Sequence, residues 1–410
     1  MGAGRATGQD SAGTVRRGPG FEMNTRYDVV VIGGGAIGCA TAVFLREAGV
    51  PRVCVLEPDP TYAKAATPVA TGGCRRLFAL PENIRMSQFS IGFFKEFASH
   101  VGVEGYAPDV QWKERGYLFI VGSGHEQVLE QNFRVQQREG VQVELLDRAS
   151  IAERYPWMRS DDLALGVLSP QDGWLDPNSV LQGFRRKAQA LGVTFVRERA
   201  VDLYVRRHRV AEVELGSGLR FQADHVVNAA GCWAASIAKL VGVDLPVNPM
   251  RRFEHYVELA DELPVMPLVK DPERLIIRPE GKGYAVGLVK SDEPRGFNLD
   301  VDPAWFQEVV WPACAARVPA FEQLRLVREW AGLYDECELD GNMILGRCTG
   351  GPENFLVACG FSGHGLMHSP AVGRALAELV VHGRFETLDL SRMGYQRVID
   401  GVPCRETGIV

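Results

Sequence analysis

The stretch that most constrains this chain is a glycine-rich turn between a predicted buried strand and a helix. Residues 28–32 (Asp-Val-Val-Val-Ile) form a short apolar run, which is typical of a parallel strand buried on both faces. Gly33, Gly35 and Gly38 follow with the spacing of a dinucleotide-binding turn. The first glycine allows the tight turn, the second lets the backbone approach a pyrophosphate, and the third lets the helix pack close to the strand.

A carboxylate ends the next predicted strand. Residues 53–56 are apolar, and Glu57 follows them, roughly 20 residues after the glycines, where an acidic side chain can bind ribose hydroxyls. The intervening helix directs free N–H groups and the positive end of its dipole toward the phosphates. This order of a strand, a helix, a second strand and an acidic residue at its end favours a dinucleotide site over an ordinary glycine-rich turn.

Composition sets the class of protein. A chain of 410 residues is longer than one core usually spans, so two domains are expected. A net charge of −6 and the lack of a basic stripe argue against a nucleic-acid partner. No apolar run approaches the ~18–20 residues of a transmembrane segment. The nine cysteines form no C-x-x-C pair. We therefore expect reduced thiols, no metal site, and a cytoplasmic location, or the mitochondrial matrix if the source is eukaryotic.

Two further strand–turn–helix segments lie far along the chain. Residues 225–231 end an apolar strand with small residues, which let a cofactor pack against the sheet; a tight structural turn is the alternative. Residues 355–367 repeat strand, glycine-rich turn and helix. A flavin enzyme can use a second helix N-terminus to hold negative charge on the reduced ring, whereas a nicotinamide enzyme does not need it. Residues 253–259 alternate apolar and polar side chains, which predicts an antiparallel sheet in a second domain.

Together these segments resemble the D-amino-acid-oxidase superfamily of FAD enzymes. The resemblance covers nearly the whole chain after Arg26. It rests on residues 33–38, Glu57, residues 228–231 and the Gly360-Phe-Ser-Gly-His-Gly365 motif, which is similar to that of sarcosine oxidases and dimethylglycine dehydrogenases. Four more segments, residues 79–84, 311–312, 317–321 and 330–334, look most similar to a mitochondrial FAD-dependent oxidoreductase-domain group linked to complex I assembly.

The resemblance implies an α/β fold with a discontinuous Rossmann-type FAD-binding domain and an antiparallel (α+β) substrate domain that roofs the flavin. The FAD-binding domain is expected to comprise residues 26–106, 169–246 and 335–400. The substrate domain is expected to comprise residues 107–168 and 247–334. Residues 1–25 are expected to be a disordered tail. The implied reaction is oxidation of the C–N bond of a secondary amine or N-methyl amino acid, with two electrons passing to flavin N5 and the imine released for hydrolysis.

The chain departs from the sarcosine oxidase pattern at the positions that link FAD and bind substrate. Gly332 stands where a cysteine links FAD, and residues 68–70 are Pro-Val-Ala where dimethylglycine dehydrogenases use a histidine. FAD is therefore predicted to be non-covalent. Met367 replaces a lysine that binds the substrate carboxylate, and an oxygen-activating lysine maps near Ala285. These losses predict a bulkier or less charged amine than sarcosine, and a dye, quinone or acceptor protein as a better electron acceptor than oxygen.

Four residues are predicted to act on substrate. By resemblance, Arg75 lies over the flavin, with Arg76 as the alternative, and Tyr334 contacts the substrate carboxylate. His255 is a candidate to take a proton from an amine, or is a hydrogen-bonded core histidine. Arg278 is a candidate to replace the missing lysine as a carboxylate clamp, or is a surface arginine. The predicted FAD contacts are Gly33, Gly35, Ala36, Ile37, Gly38, Glu57, Arg75, Arg76, Val201, Ala230, Gly231, Trp233, Gly363, His364, Gly365, Leu366 and Met367.

Two functions of different class fit this sequence. One is a catalytic FAD-dependent dehydrogenase or oxidase of a secondary amine or amino acid. The other is a flavin-binding assembly or maturation factor with little turnover, in which FAD mainly stabilises the fold. The subgroup resemblance favours the second, and the retention of Arg75, Tyr334 and the glycine motifs favours the first.

Overall fold

The computed structural model describes residues 14–16 and 22–408. Its strands are, in chain order, β1 (Thr14–Arg16), β2 (Glu22–Asn24), β3 (Arg26–Ile32), β4 (Val53–Leu56), β5 (Gly73–Cys74), β6 (Lys113–Glu114), β7 (Tyr117–Gly122), β8 (Glu144–Asp147), β9 (Leu163–Ser169), β10 (Gly173–Trp174), β11 (Thr194–Val196), β12 (Ala200–Arg206), β13 (Arg209–Leu215), β14 (Arg220–Asn228), β15 (Val247–Glu258), β16 (Leu268–Lys270), β17 (Ile276–Glu280), β18 (Gly283–Gly287), β19 (Arg325–Cys337), β20 (Ile344–Arg347) and β21 (Phe355–Cys359).

The helices lie between groups of these strands along the chain. They are α1 (Ala36–Glu47), α2 (Pro81–Lys95), α3 (Phe97–Val101), α4 (Glu126–Arg138), α5 (Arg148–Arg154), α6 (Pro177–Ala190), α7 (Ala234–Lys239), α8 (Pro303–Trp305), α9 (Trp311–Arg317), α10 (Gly365–Val381) and α11 (Gln396–Ile399). Short 3₁₀ turns cover Thr67–Val69, Gly231–Trp233, Pro319–Gln323 and Ser391–Met393, and Phe306–Val310 forms a π-helical turn.

The first eight-stranded sheet has a parallel centre. Its order is β11-β4-β3-β14-β13-β12, and β21 pairs with β14 and with β20. The β11–β4, β4–β3, β3–β14 and β14–β21 pairs are all parallel. Helices α1, α2, α6 and α10 pack together on one side, and two apolar clusters cover the two faces. Strands buried on both faces explain the continuous apolar runs of β3 and β4.

The second eight-stranded sheet forms the roof of the molecule. Its order is β19-β15-β18-β17-β16-β7-β9-β8, and every pair is antiparallel except β16–β7, which is parallel. Alternate residues of β15 face opposite sides, since side chains alternate along a strand. Val257 packs in an apolar core on the outer face of the roof, away from the first sheet. Arg252 and Glu254 lie on the inner face, which faces the first sheet and lines a cavity.

The predicted α/β class is confirmed. The strands of the first sheet all come from residues 26–106, 169–246 and 335–400, and those of the roof from residues 117–169 and 247–337. The domain boundaries themselves stay a prediction. Most of the predicted disordered tail, residues 1–25, lies outside the described residues; within it, β1 and β2 pair as two short antiparallel strands.

Candidate functional site

A cavity of about 1280 Å³ lies between the two sheets. The carboxyl end of β3, the N-termini of α1 and α10, and the inner face of the roof all contribute to its wall. Fifteen of the predicted site residues line it, namely Gly33, Gly35, Ala36, Ile37, Glu57, Arg75, Ala230, Gly231, Trp233, Tyr334, Gly363, His364, Gly365, Leu366 and Met367. Ligands of α/β sheets bind at the carboxyl ends of the strands, so the place of the cavity agrees with the topology.

The turn between β3 and α1 requires its glycines. Gly33 has a φ of +102°, and a Cβ there would lie 2.4 Å from the carbonyl oxygen of Ala229. A Cβ on Gly38 would lie 1.9 Å from the carbonyl oxygen of Gly33. Gly35 has open space before it, since a Cβ there would meet nothing nearer than the Thr67 hydroxyl at 3.9 Å. The backbone therefore presents the free N–H groups of α1 to the cavity.

Glu57 fixes the loop that faces this helix. Its carboxylate accepts hydrogen bonds from the N–H groups of Gly34 and Asp59, both at 2.9 Å. Burial raises the pKa of Glu57, and these two N–H groups oppose that rise. Thr67, which sequence reasoning missed, contacts the N–H of Ala36 through its hydroxyl at 3.4 Å. A ribose and a pyrophosphate would find an acceptor and a helix N-terminus side by side here.

The N-terminus of α10 brings the second glycine motif to the cavity. A Cβ on Gly363 would lie 2.5 Å from the ring of Tyr334, so only glycine allows the roof to approach this turn. The His364 Nε2 atom lies 3.1 Å from Nη2 of Arg75. Because an arginine only donates, Nε2 accepts and Nδ1 carries the proton. That Nδ1 is buried without a partner, and burial lowers the pKa of His364 well below its usual range. A neutral histidine thus offers a free donor at the cavity wall.

Arg75 is a buried cation at the centre of the site. It is 4% exposed, its guanidinium lies 3.8 Å from the ring centroid of Phe78, and it donates to the carbonyl oxygen of Leu77. No carboxylate oxygen of the described chain forms an ion pair with it. Leaving a buried charge unpaired is costly, so the arrangement is suited to an anionic ligand.

Lys270 is a second buried basic residue, and sequence reasoning missed it. It ends β16, lines the cavity and is 7% exposed. Its Nζ and the Arg75 guanidinium both approach the Phe119 ring, at 5.9 and 5.2 Å from the centroid. Burial, followed by the nearby charge of Arg75, lowers the pKa of Lys270 well below its usual range. Ala285, the position to which the oxygen-activating lysine maps, does not line the cavity, whereas Lys270 does.

Two predicted catalytic residues do not reach the cavity wall. His255 is fully buried on the opposite face of β15, against Phe306 at a ring distance of 4.9 Å, and burial lowers its pKa to about 4. The apolar residues of β15 face the core on the outer side of the roof, and His255 faces that core with them. His255 therefore lies on the side away from the cavity. Arg278 faces the inner side, but its guanidinium is paired with Glu280 and it does not line the cavity.

Three predicted cofactor contacts are also displaced from the wall. Arg76 binds Asp172 through its backbone N–H and Nε, both at 2.7 Å, which holds it away from the cavity. Val201 is 40% exposed on the outer side of β12, whereas its neighbour Ala200 lines the cavity. Gly38 contacts Gly33 rather than the cavity, so its part is to seat α1.

Two absences are findings about the described residues. Residues 14–16 and 22–408 hold no group of three or more His, Cys, Asp or Glu side chains placed to bind a metal ion. In the same part of the chain, no helix combines the length and apolar character needed to cross a membrane.

Comparison with known proteins now identifies the family. The family model described as "FAD dependent oxidoreductase" (DAO) matches residues 28–379. The chain belongs to the DAO family of FAD-dependent oxidoreductases. It is 36% identical to FAD-dependent oxidoreductase domain-containing protein 1 of Xenopus laevis, over 94% of this chain and 85% of that protein. It is 29% identical to mitochondrial sarcosine dehydrogenase of Mus musculus, over 92% of this chain but only 42% of that protein.

Solved structures show the same fold. L-Proline dehydrogenase from P. horikoshii superimposes with a TM-score of 0.82 at 24% identity, covering 92% of this chain and 98% of that one. Glycine oxidase from Geobacillus kaustophilus gives a TM-score of 0.79 at 23% identity, covering 91% and 99%.

The residues present fit FAD. The glycine turn, Glu57 and the α1 N-terminus suit an adenosine pyrophosphate. The orphaned Nδ1 of His364 and the free N–H groups of α10 supply donors at the other end of the cavity. FAD is therefore the expected cofactor of this chain.

Proposed function

We propose that this chain oxidises the C–N bond of a secondary amine or N-methyl amino acid and releases an imine for hydrolysis. The observation that carries the proposal is the pair of buried basic side chains, Arg75 and Lys270, in the cavity that suits FAD. A carboxylate group of the substrate would supply the anion that both cations lack. The relatives named for sarcosine and the structural neighbours named for proline and glycine support an amino-acid-like substrate.

The chain's own residues bind and orient the substrate in this proposal. FAD, when bound, would supply the two-electron oxidant that converts the amine to an imine. Arg75 is held by His364 and Leu77, so its guanidinium is pre-oriented toward the carboxylate. Lys270 gains its proton as the carboxylate arrives, because an anion favours the charged form of a buried amine. Tyr334, packed on Gly363, presents a phenol at the same wall for hydrogen bonding to the substrate.

The first turn of α10 also argues for a substrate larger than sarcosine. Met367 lines the cavity at the position where the resemblance places a lysine, and its flexible apolar side chain suits an aliphatic group. The carboxylate would bind on Arg75 and Lys270 instead. A substituted N-methyl amino acid or a cyclic secondary amino acid fits this arrangement. Its carboxylate would bind Arg75 and Lys270, and its aliphatic group would pack against Met367.

The test is an anaerobic screen of the FAD-loaded protein. N-methyl-L-alanine, L-proline, sarcosine and a carboxylate-free N-methylalkylamine are each added while the flavin absorbance near 450 nm is followed. We expect bleaching by the substituted amino acids, slower bleaching by sarcosine, and none by the amine without a carboxylate. Bleaching by the carboxylate-free amine alone would contradict the binding of a carboxylate by Arg75 and Lys270.

A flavin-binding assembly factor is the second candidate, and its support is the likeness to FAD-dependent oxidoreductase domain-containing protein 1. No bleaching by any amine or amino acid, in a protein that retains FAD, would favour it. The electron acceptor is tested in the same samples, by mixing reduced protein with air-saturated buffer or with a quinone. We expect the quinone to react faster, because alanine stands at residue 285, to which the oxygen-activating lysine maps.

A reducing compartment, either the cytoplasm or the mitochondrial matrix, is proposed as the place of action. All nine cysteines are free and buried, and burial raises the pKa of Cys39 and Cys232 to about 12. Buried neutral thiols are inert. Mass determination with and without reductant would show a difference if disulfides form.

A further inference from the structure

Glu254 places a buried carboxylate on the inner face of the roof. It lies on β15 and lines the cavity. Its Oε2 accepts a hydrogen bond from the Thr71 hydroxyl at 3.4 Å, and its Oε1 is buried without a partner. Among the described residues, no lysine, arginine or histidine forms an ion pair with it. An acceptor oxygen in this position is suited to a donor that a ligand would bring.

The surroundings of Glu254 keep its proton affinity high. Burial raises the pKa of Glu254 to about 7. The charge of Arg278 on β17 and the hydrogen bond from Thr71 oppose that rise, while the charge of Glu280 on β17 adds to it. On β19, the residue opposite is Trp330, which carries no charge. The group therefore changes charge near neutral pH, where a proton acceptor is most effective.

A glycine in the next strand directs this carboxylate across the sheet. A Cβ on Gly287 would lie 3.1 Å from Oε2 of Glu254, so the carboxylate lies over β18 because that position has no side chain. Gly287 pairs with Ile276, and Ile276 pairs with Lys270. Glu254 and Lys270 thus stand in one row on the same face of the roof, on strands β15 and β16 that lie three strand spacings apart.

That row has the carboxyl group of Glu254 at one end and the amine of Lys270 at the other. Three spacings of ~4.8 Å separate the two Cα atoms by roughly 14 Å, and the two long side chains reduce the gap between Glu254 and Lys270. The residues between them, Gly287 and Ile276, are uncharged. The gap accordingly suits a small zwitterion, with its anionic group toward Lys270 and its cationic group toward Glu254.

We propose that Glu254 binds the amine nitrogen of the substrate and accepts a proton from it. The inference rests on the proposed function and names the residue that recognises the nitrogen. In the step, an N–H bond of the substrate ammonium breaks and an O–H bond forms on Glu254. The nitrogen keeps the electron pair, so the substrate is a neutral amine before its C–N bond is oxidised. No co-reactant is needed, because only a proton moves.

The test compares two ligands of nearly equal shape. N-methyl-L-alanine carries the amine, and 2-methylbutanoate has CH₂ in place of N–H. Binding of each to the FAD-loaded protein under anaerobic conditions is measured from the change in the visible flavin spectrum, and for the amine also from the initial rate of bleaching. The variant is Glu254→Gln. The matched control is Glu258→Gln, on the same strand and face, where Glu258 pairs with Arg325 and does not line the cavity.

For Glu254→Gln we expect the Kd of N-methyl-L-alanine to rise about 10-fold or more, the size of a lost charge-assisted hydrogen bond. The Kd of 2-methylbutanoate and both values for Glu258→Gln should stay within about twofold of the wild type. Equal weakening of both ligands, or no weakening of the amine, would overturn the inference.

Wild-type protein gives a test that does not depend on a variant. Between pH 6 and pH 8, the affinity for N-methyl-L-alanine relative to 2-methylbutanoate should rise up to about 10-fold, since Glu254 becomes ionised across this range. Titration of Lys270 changes the affinity for both ligands by the same factor, because both carry the carboxylate. Its effect therefore cancels in the ratio of the two affinities. A flat ratio would overturn the inference. Failure of the proposed function has a different signature: neither amine nor amino acid would bleach the flavin.

Discussion

At the scale of single residues, Glu57 is predicted to hold the adenosine ribose of FAD. Its carboxylate already accepts from the Gly34 and Asp59 N–H groups and lines the cavity. Glu57→Ala removes a charge-assisted acceptor, which corresponds to about 1.5–3 kcal/mol. The Kd for FAD, measured by fluorescence titration of the apoprotein, should rise accordingly. Glu57→Gln should lose less, since it keeps one acceptor oxygen, and unchanged flavin occupancy in the alanine variant would contradict the assignment.

Lys270 gives a prediction with a definite pH sign. Burial lowers its pKa, and only its protonated form binds a carboxylate. Affinity for 2-methylbutanoate should therefore fall as pH rises through the lowered pKa, and Lys270→Met should weaken binding about tenfold or more at low pH while removing this pH dependence.

Lys290→Met is the matched control for Lys270, because Lys290 pairs with Asp302 at 3.4 Å and does not line the cavity. It should behave as the wild type does. If both lysine variants lost affinity equally, the effect would reflect net charge rather than a contact at the site.

At the scale of elements, the contact between β3 and α1 depends on one missing side chain. Gly38→Ala would put a Cβ 1.9 Å from the Gly33 carbonyl oxygen, so α1 has to move away from the sheet. Overpacking of this kind costs about 1–3 kcal/mol of unfolding free energy, and it also displaces the N–H groups that face the cavity. We expect a lower melting temperature and weaker FAD retention.

Gly92→Ala is the control for Gly38→Ala. Gly92 lies within α2, and a Cβ there meets nothing within 4 Å. Because glycine is about 0.5–1 kcal/mol less favourable than alanine within a helix, this variant should be neutral or slightly more stable. Destabilisation by both changes to a similar degree would show that the close approach at Gly38 is not the cause.

The glycine turns were predictable because their signal is local. Gly33, Glu57 and the Gly363–Gly365 turn each follow a short apolar strand that is recognisable in the sequence, and the structure places all of them on the cavity wall. The roof was not predictable in this way. The register of four strands places Lys270 and Glu254 in one row on the same face of the roof, which no local pattern encodes. The alternation of apolar and polar residues around His255 was predicted correctly. The apolar side of β15, which carries His255, faces the core on the outer side of the roof, and the polar side of β15 faces the cavity.

At the scale of the whole molecule, the cavity joins both sheets. The α1 and α10 N-termini belong to the first sheet's layer, whereas Tyr334 and Lys270 belong to the roof. A cofactor in this cavity therefore contacts segments that are distant along the chain. Its binding free energy adds to the stability of the folded state, since the unfolded chain has no such site.

FAD is predicted to be held tightly but without a covalent bond. The two positions where the resemblance implies a link, Val69 and Gly332, meet across the cavity wall: a Cβ on Gly332 would lie 2.9 Å from Cγ2 of Val69. Neither residue has a nucleophilic atom. Acid denaturation should therefore release yellow FAD into the supernatant. The apoprotein should melt several degrees lower than the loaded protein, and added FAD at 100 times its Kd should restore about 2.7 kcal/mol of stability. A non-covalent ligand that contacts both sheets has to leave the denatured protein and has to stabilise the folded one. Flavin that stays with the precipitate, or a melting temperature that FAD does not change, would therefore contradict this prediction.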